Sequence, residues 1–506
     1  MQGVSVHKAT GRPGRRTDME ICESGDLPVG DRGYPRPRVI GRMYTIMALV
    51  RPFTLMPSSP EGVFVFARQE QKNGEQMENH HRQGGTKMKK RMAKLLTVLL
   101  VSASCLAGCG GQTQETAQTA ETEVTEDTAE STEDTAAAED TESAESEEDA
   151  DQAAADNVAA LIDAIYVQQR TDETDAQCEE AKAAWDALTD AQKELVSGEN
   201  ADPDYFGRDT GDASLDDPRN QDEIGENELL VVSFGTSFND SRVEDIKAIE
   251  DALQEAFPDW SVRRAFTAQI IINHVQARDG EYIDNMDQAL ERAVANGVQN
   301  LVIQPTHLMH GAEYDEMVDA VDAYKDQFAS VAIAEPLLGD VGSDATVINA
   351  DKQAVAEALT AQAVSEAGYD SAEAAAEDGT AFVFLGHGTS HTANVSYSQM
   401  QAQMAELGYD NAFIGTVEGE PEGTDCESVI AAVADAGYTK VVLRPLMVVA
   451  GDHANNDMAG EDAESWLSMF NASGNFESVD AQVEGLGRIE AIQQIYVDHS
   501  AAVIGE

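Results

Sequence analysis

Short apolar runs alternate with helix-like repeats through the C-terminal half of this 506-residue chain. Each run is rich in Val, Ile, Leu, Phe and Ala, and each is followed by a segment in which apolar residues recur every three to four positions. The first runs predict buried strands over Leu229–Phe234, Ser261–Phe266, Asn300–Gln304 and Ser330–Glu335. Strands separated by helices require right-handed crossovers and a parallel sheet. The pattern therefore predicts a doubly wound α/β unit over residues 228–345.

A second unit with the same order of elements is predicted over residues 346–506. Its strands are expected over Phe382–Leu385, Ala412–Thr416, Val441–Leu446 and Ser478–Val483. Val232–Ser237 resembles Phe384–Ser390, and Leu301–Gly311 resembles Val442–Gly451, which indicates an internal duplication. We therefore expect an α/β fold with two similar doubly wound parallel-sheet halves that face a central cleft. Ligands of such sheets bind beyond the carboxyl ends of the strands.

Two segments of a different character precede these halves. Residues 110–156 consist mainly of Thr, Glu, Ala, Asp, Ser and Gln. Such a segment buries too little apolar surface to offset its chain entropy, so we expect a disordered acidic linker. Residues 157–200 carry apolar side chains at helical spacing and predict a small helical module. Thr189 or Asp190 is expected to cap its last short helix.

The segment Met88–Cys109 has the pattern of an export signal. A basic start is followed by an apolar stretch that is too short for a stable membrane span, and then by small residues. The end of the segment, Leu106-Ala-Gly-Cys109, resembles the bacterial lipoprotein box, in which the cysteine is lipidated. Because such signals stand at the N-terminus, residues 1–87 are predicted to be a spurious extension. We expect an exported protein that a lipid on Cys109 anchors to the outer face of the cell membrane; ordinary secretion, with Cys109 a chance residue, is the alternative.

Charge is distributed very unevenly along the chain. The net charge is −60, yet residues 1–94 hold 17 of the 33 Lys and Arg residues, and none lies between Lys94 and Arg170. A chain this acidic does not neutralise phosphate groups, which excludes nucleic acid as a partner. Beyond the leader, Cys178 and Cys426 are too few for a disulfide framework.

Two histidines follow strands at the predicted cleft. His387 comes after a Gly at the end of the strand Phe382–Leu385, and His453 follows Gly451-Asp452 after the strand Val441–Leu446. The carboxyl ends of parallel strands lie at one edge of a sheet, so these imidazoles are predicted to share a site. Taken alone, His387 has a structural alternative, in which its ring only bonds a neighbouring backbone carbonyl.

The motifs together resemble the anaerobic sirohydrochlorin cobaltochelatase family, whose fold is related to that of the ferrochelatases. The matching pieces run in order through residues 228–506: Val232–Ser237, Asn239–Arg242, Arg263–Thr267, Gln304–His307, Gly386–Thr389, Gly415–Gly419, Pro445–Met447 and Gly451–Gly460. The resemblance implies insertion of a divalent metal into sirohydrochlorin, with release of two protons, in anaerobic cobalamin biosynthesis. It implies His387 and His453 as catalytic, metal-handling and proton-accepting residues, and Glu418 as the third metal ligand. His310 departs from the family, where Asn is expected.

The residue types suit this chemistry. Metal insertion must remove water from the ion and two protons from the pyrroles, without holding the ion too tightly. Neutral imidazole binds Co²⁺, Ni²⁺ or Fe²⁺ with intermediate affinity and titrates near neutrality, so it can hold a metal and accept a proton. We expect the metal, most simply Co²⁺ with Ni²⁺ or Fe²⁺ as alternatives, to be a substrate, and no organic cofactor to be needed. For Glu418 the structural alternative is a carboxylate at a helix start.

Five residues of the first half are candidates for contacts with the tetrapyrrole substrate. Gly235, Thr236 and Ser237 precede a helix, and their backbone N–H groups are candidates for binding substrate carboxylates. Arg264, within one of the matching motifs, and His307, at the equivalent cleft edge of the first half, are further candidates. The remaining histidines of this region, His274, His391 and His499, are interpreted as surface or structural residues.

A second function, from another class of protein, is also compatible with the sequence. An exported chelatase is remote from a substrate that is made in the cytoplasm, so the protein is alternatively a surface-anchored lipoprotein that binds haem, another tetrapyrrole or a metal without turnover. Its partner would then be a transporter, and a homo-oligomer is a further option. A hydrolase, as a third possibility, is disfavoured because the sequence shows no nucleophile set, and Gly386–Ser390 is not a nucleophile elbow since the chain has no G-x-S-x-G motif.

Overall fold

The computed structural model describes residues 136–208 and 210–504. The predictions for residues 1–87, for the signal 88–109 and for lipidation of Cys109 lie outside these residues. None of the helices in the described ranges has both the length and the apolar character that crossing a membrane requires.

Three helices form the N-terminal module: α1 (Ala136–Ile165), α2 (Thr174–Asp186) and α3 (Asp190–Lys193). The start of α1 corrects the predicted linker 110–156, because residues 136–156 are helical. The prediction weighed only large apolar residues, whereas Ala and Glu have high helix propensity. Near its end α1 also buries Ala155 and Ile162 in the core of the module. The cap of α3 is confirmed as Thr189, which forms a reciprocal capping box with Gln192.

The first half contains one four-stranded parallel sheet in the order β2-β1-β3-β4. Its strands are β1 (Asn227–Ser233), β2 (Ser261–Phe266), β3 (Asn300–Pro305) and β4 (Ser330–Ile333). Its helices are α4 (Asn239–Ser241), α5 (Ala248–Ala256), α6 (Gln269–Asp279), α7 (Met286–Asn296) and α8 (Ala312–Tyr324), with a π-helical segment, Arg242–Lys247, between α4 and α5.

The second half repeats this topology in the order β6-β5-β7-β8, again with parallel neighbours. Its strands are β5 (Thr380–Gly386), β6 (Ala412–Thr416), β7 (Lys440–Pro445) and β8 (Ser478–Ala481). Its helices are α9 (Ala350–Glu366), α10 (Ala372–Glu377), α11 (Val395–Glu406), α12 (Cys426–Asp435), α13 (Trp466–Ser473) and α14 (Glu490–Val503), and a second π-helical segment spans His453–Met458. The predicted α/β fold with two doubly wound halves is confirmed.

The register of the two sheets confirms the internal duplication in detail. In the first sheet Val232 of β1 pairs with Pro305 of β3, and in the second sheet Leu385 of β5 pairs with Pro445 of β7. Val232 and Leu385 are also the positions that the two glycine-containing motifs align. Each central strand therefore ends at the same point relative to its neighbour.

A core shared by both halves joins the two sheets. Alternate side chains of β1, such as Leu229 and Val231, lie in the same apolar cluster as Phe382 and Phe384 of β5. Since side chains alternate along a strand, Leu230 and Val232 face a separate outer core. Sharing the inner core fixes the orientation of one sheet relative to the other.

The last helix crosses the predicted boundary between the halves. Although α14 belongs to residues 346–506, the hydroxyl of Tyr496 donates to the backbone oxygen of Thr306, and Ser500 donates to the side chain of Gln304. Both acceptors belong to the first half. The assignment of all of residues 346–506 to the second half is therefore wrong for α14, because its buried face packs against the first sheet.

The first half also begins earlier than residue 228. The side chain of Asp216 is fully buried and forms ion pairs with Arg242 and Arg264, both of which are buried in the first half. Burial alone raises the pKa of Asp216, but its hydrogen bonds to the two guanidinium groups and their charge outweigh burial, so its pKa lies below the ordinary value. The polar stretch before β1, which sequence patterns leave outside the domain, is thus an integral part of it.

Candidate metal-handling site

His387 is held between two glycines at the end of β5. Gly386 is buried with the ring of Tyr397 against it, and Gly388 has a φ of +90°, so neither position accommodates a larger residue without strain. The ring Nδ1 of His387 lies 2.7 Å from the backbone oxygen of Gly388. Because a carbonyl only accepts, Nδ1 carries the proton, and the Nε2 of the neutral ring keeps its lone pair. The bond to a backbone carbonyl therefore orients a potential ligand.

His453 begins the π-helical segment that follows β7. Its Nδ1 lies 2.6 Å from a carboxylate oxygen of Asp457, four residues later in the same segment. A ligating histidine commonly donates its other ring N–H to a carboxylate, which fixes the ring and raises the basicity of the free nitrogen. π-helical turns are themselves frequent at functional sites. His453, like His387, therefore presents Nε2.

The two imidazoles are in contact. Their ring centroids lie 4.5 Å apart, with an angle of 75° between the ring planes. The structure thus brings together the two histidines that the sequence places about 66 residues apart. Two neighbouring imidazoles with both Nδ1 atoms already bonded form a partial ligand set for a divalent metal.

The backbone of Glu418 is hydrogen-bonded to the backbone of His387. The Glu418 N–H donates to the backbone oxygen of His387 at 2.9 Å, while the Glu418 side chain is exposed. Within the described ranges, the group of three donors that lies within 4.8 Å is Asp452, His453 and Asp457. The predicted set of His387, Glu418 and His453 is therefore not assembled in this structure, and the Glu418 side chain is exposed.

Asp452 and Asp457 are the residues that the sequence reasoning missed. The signal was the spacing of four residues between His453 and Asp457 in the motif Gly451–Gly460, which places both side chains on one side of a helical turn. Asp452 is held by the side chain of Asn456 at 2.6 Å.

Asp457→Ala is expected to weaken Co²⁺ binding by roughly 10- to 100-fold, because His453 loses the acceptor that orients its ring. Asp457→Asn should recover much of this loss, since its amide oxygen accepts the same hydrogen bond. Titration of the visible Co²⁺ absorption measures both effects. Asp498→Ala is the matched control, as Asp498 also accepts a hydrogen bond from a residue four positions away but lies on the exposed face of α14. Equal loss in the Ala and Asn variants would contradict the role of the hydrogen bond.

The first half holds the loop that leads to His453. The hydroxyl of Ser241 donates to the backbone oxygen of Ala450 at 2.5 Å, and the carboxylate of Asp245 accepts from the Ala450 N–H at 2.9 Å. Asp245 is fully buried and also accepts from Arg488. Burial raises the pKa of Asp245, and the charge of Arg488 only partly opposes this rise. Both polar groups of Ala450 are therefore fixed from the opposite half.

The candidate anion site at the start of α4 is largely occupied by the protein itself. The N–H of Phe238 donates to the Thr236 hydroxyl, the N–H of Asn239 to the Thr210 hydroxyl, and that of Asp240 to the Thr210 carbonyl. Gly235 and Thr236 are buried and Ser237 is partly buried. The first N–H groups of this helix therefore already have acceptors within the protein. Substrate binding by Gly235, Thr236 and Ser237 stays a prediction.

Arg264 is not available to a substrate. Its guanidinium is fully buried and pairs with Asp216 and Glu250. Burial alone lowers the pKa of Arg264, but Glu250 and Asp216 reverse this effect and raise it. The prediction that Arg264 binds the tetrapyrrole is therefore wrong, since the side chain serves the core of the first half.

His307 lies at the end of β3 with both ring nitrogens buried and without a hydrogen-bond partner in the described structure. Burial lowers its pKa to about 4, and the charge of Glu313 only partly opposes this effect. His307 is therefore neutral near pH 7. Its contact with substrate stays a prediction.

The other histidines have structural partners. His274 stacks on Tyr205, with ring centroids 4.2 Å apart, and thereby joins α6 to the N-terminal module. His391 accepts from the N–H of Ala393 at the start of a short helical turn. His499 and His310 both interact with Glu335, through its backbone oxygen and its carboxylate respectively.

A polar cavity of about 420 Å³ lies between the halves. It is lined by residues of both, including Ser241 and Glu244 of the first half and Asn455 and Asn456 of the second. Neither His387, Glu418 nor His453 lines it. This cavity is therefore next to the π-helical segment of His453 but is not the predicted metal site.

Comparison with known proteins covers the two α/β halves. The family model described as cobalt chelatase (CbiK) matches residues 227–505. A sirohydrochlorin cobaltochelatase of Salmonella typhimurium is 36% identical over 271 residues, which are 54% of this chain and 94% of the relative. The sirohydrochlorin cobaltochelatase CbiKC of Nitratidesulfovibrio vulgaris is 29% identical over 278 residues, which are 54% of this chain and 90% of the relative.

Among solved structures, SirB from Bacillus subtilis with Fe³⁺ aligns over 55% of this chain and 95% of its own, with 13% identity and a TM-score of 0.37. The family model spans both halves, including the strand ends that carry His387 and His453. Over residues 227–505 this chain belongs to the CbiK cobalt chelatase family.

Proposed function

We propose that this protein is a sirohydrochlorin cobaltochelatase that inserts Co²⁺ into sirohydrochlorin and releases two protons. One observation carries the proposal: the imidazoles of His387 and His453 are in contact at the strand ends of a family member, each with Nδ1 bonded and Nε2 free. This arrangement meets the two needs of the reaction, which are a ligand set of moderate affinity and acceptors for the pyrrolic protons.

Different residues of the chain bind the metal, offset its charge and position the ligands. His387 and His453 replace water on the incoming metal, and imidazole releases the ion more readily than a thiolate set would. Glu418, whose backbone is bonded to that of His387, is proposed to rotate toward the pair and offset the charge of the ion. Ser241 and Asp245 keep the loop before His453 in place, so the ring is positioned before the metal arrives.

Co²⁺ is the proposed substrate, and the ligand types alone do not separate it from Ni²⁺ or Fe²⁺. The motif Leu106–Cys109 supports an exported, lipid-anchored form on the outer face of the membrane. Fatty-acid labelling that is lost in Cys109→Ala checks this form, and labelling that persists would contradict it.

The proposed function is tested by incubating the full chain with metal-free sirohydrochlorin and Co²⁺ under anaerobic conditions. The expected result is a change in the tetrapyrrole absorption spectrum at a rate well above that without protein, with repeated turnover. A matched reaction with Mg²⁺, which prefers oxygen ligands, should show no such change. Tight binding of the tetrapyrrole without turnover would instead support the surface-anchored binding lipoprotein.

A further inference from the structure

Phe234 is an aromatic side chain left exposed at the end of a buried strand. The residues of β1 from Glu228 to Ser233 are all buried, and the next residue, Phe234, is 48% exposed. Isolated exposed apolar residues are common on protein surfaces. The position of this one, however, is set by the duplication.

The register makes Phe234 the counterpart of His387. Val232 and Leu385 occupy equivalent positions in the two sheets, and Phe234 and His387 each follow two residues later. Each is then followed by a glycine in the left-handed region, Gly235 at φ +102° and Gly388 at φ +90°. A Cβ on Gly235 would lie 2.5 Å from the Phe266 ring, so this turn requires glycine. The same backbone geometry presents phenyl in one half and imidazole in the other.

The end of β1 also lies near the loop that leads to His453. A Cβ built on Gly451, two residues before His453, would lie 3.4 Å from the hydroxyl of Thr236, two residues after Phe234. Ser241 and Ala450 join the same two segments by a hydrogen bond. Phe234 is thus attached to the part of the first half that meets the metal-handling segment of the second half.

We propose that Phe234 binds the flat face of the tetrapyrrole and so supplies the apolar part of the substrate site. The inference rests on the proposed function and adds to it a residue for the substrate's ring system. A conjugated macrocycle offers an apolar π-face, and aromatic side chains stack on such faces. The duplication therefore gives the halves different tasks: the second half handles the metal through His387, and the first half holds the macrocycle through Phe234.

The experiment compares Phe234→Ala and Phe234→Trp with the wild-type full chain. Metal-free sirohydrochlorin is titrated by the quenching of its fluorescence, and Co²⁺ is titrated separately without tetrapyrrole. Phe234→Ala should weaken tetrapyrrole binding about tenfold, whereas Phe234→Trp, which keeps an aromatic face, should stay close to wild type. Co²⁺ affinity and Tm should be unchanged in both.

Leu215→Ala is the matched control, since Leu215 is 61% exposed and equally apolar but precedes β1. It should leave tetrapyrrole binding unchanged. If Phe234→Ala binds sirohydrochlorin as tightly as wild type, or loses Co²⁺ affinity in parallel, the inference fails while the proposed function stands. If wild type itself does not bind sirohydrochlorin, the proposed function fails and this inference fails with it.

Discussion

Replacing His387 or His453 with alanine is expected to lower the rate of Co²⁺ insertion by roughly 10²- to 10⁴-fold. Each replacement removes a metal ligand and a proton acceptor from a pair of rings whose centroids are 4.5 Å apart. Because the two rings act as a unit, the double variant should be little worse than either single variant. The measurement is single-turnover insertion followed by the absorption of the metallated product.

The control for these variants is His499→Gln on α14, where the imidazole bonds the backbone oxygen of Glu335. It removes a histidine but none of the proposed metal ligands, so insertion should stay near the wild-type rate. Binding of metal-free sirohydrochlorin should also persist in the two alanine variants, since the macrocycle is proposed to rest on Phe234. A rate above about a tenth of wild type in either alanine variant would contradict the role of the pair.

Asp216→Ala is expected to destabilise the folded protein by roughly 3 kcal/mol or more. The change leaves two fully buried guanidinium groups, Arg242 and Arg264, without the carboxylate that they share. Glu250 still pairs with Arg264 and Glu281 with Arg242. The loss of unfolding free energy should therefore be among the smaller values seen when a buried ion-pair network is broken. Denaturant unfolding measures the free energy directly, and a fall in Tm accompanies it.

The matched control is Asp222→Ala, which breaks an ion pair with Arg292 at the surface. Exposed pairs contribute little, so this variant should lose less than about 1 kcal/mol. Comparable losses for Asp216→Ala and Asp222→Ala would show that burial of the network does not matter.

The same carboxylate makes stability depend on pH. The folded-state pKa of Asp216 lies below its ordinary value of 3.8, so its contribution is complete above that value. The contribution is lost as the pH falls through the lower folded-state pKa. Wild type should therefore lose stability more steeply than Asp216→Asn upon acidification below about pH 4. Parallel curves for the two proteins would contradict the lowered pKa.

Strand patterns identified both halves because a buried parallel strand must be apolar along its length. The bounds of β2 and β6 agree with the predicted Ser261–Phe266 and Ala412–Thr416. Helix α9, by contrast, is not indicated by the apolar pattern, because Ala is its commonest residue and it contains few large apolar side chains. Large apolar residues are likewise scarce in the first part of α1, where the high helix propensity of Ala and Glu decides the structure.

By itself, the sequence determined the duplicated α/β architecture, the family and the two histidines at strand ends, because each of these depends on local periodicity or on short motifs. Only the tertiary structure decided that the two rings touch, that Glu418 is not part of the donor group around His453, and that Arg264 belongs to a buried network with Asp216. These outcomes depend on contacts between residues that are far apart in sequence and on side-chain rotamers. Packing of the two sheets around one shared core sets such contacts, and no local pattern encodes them.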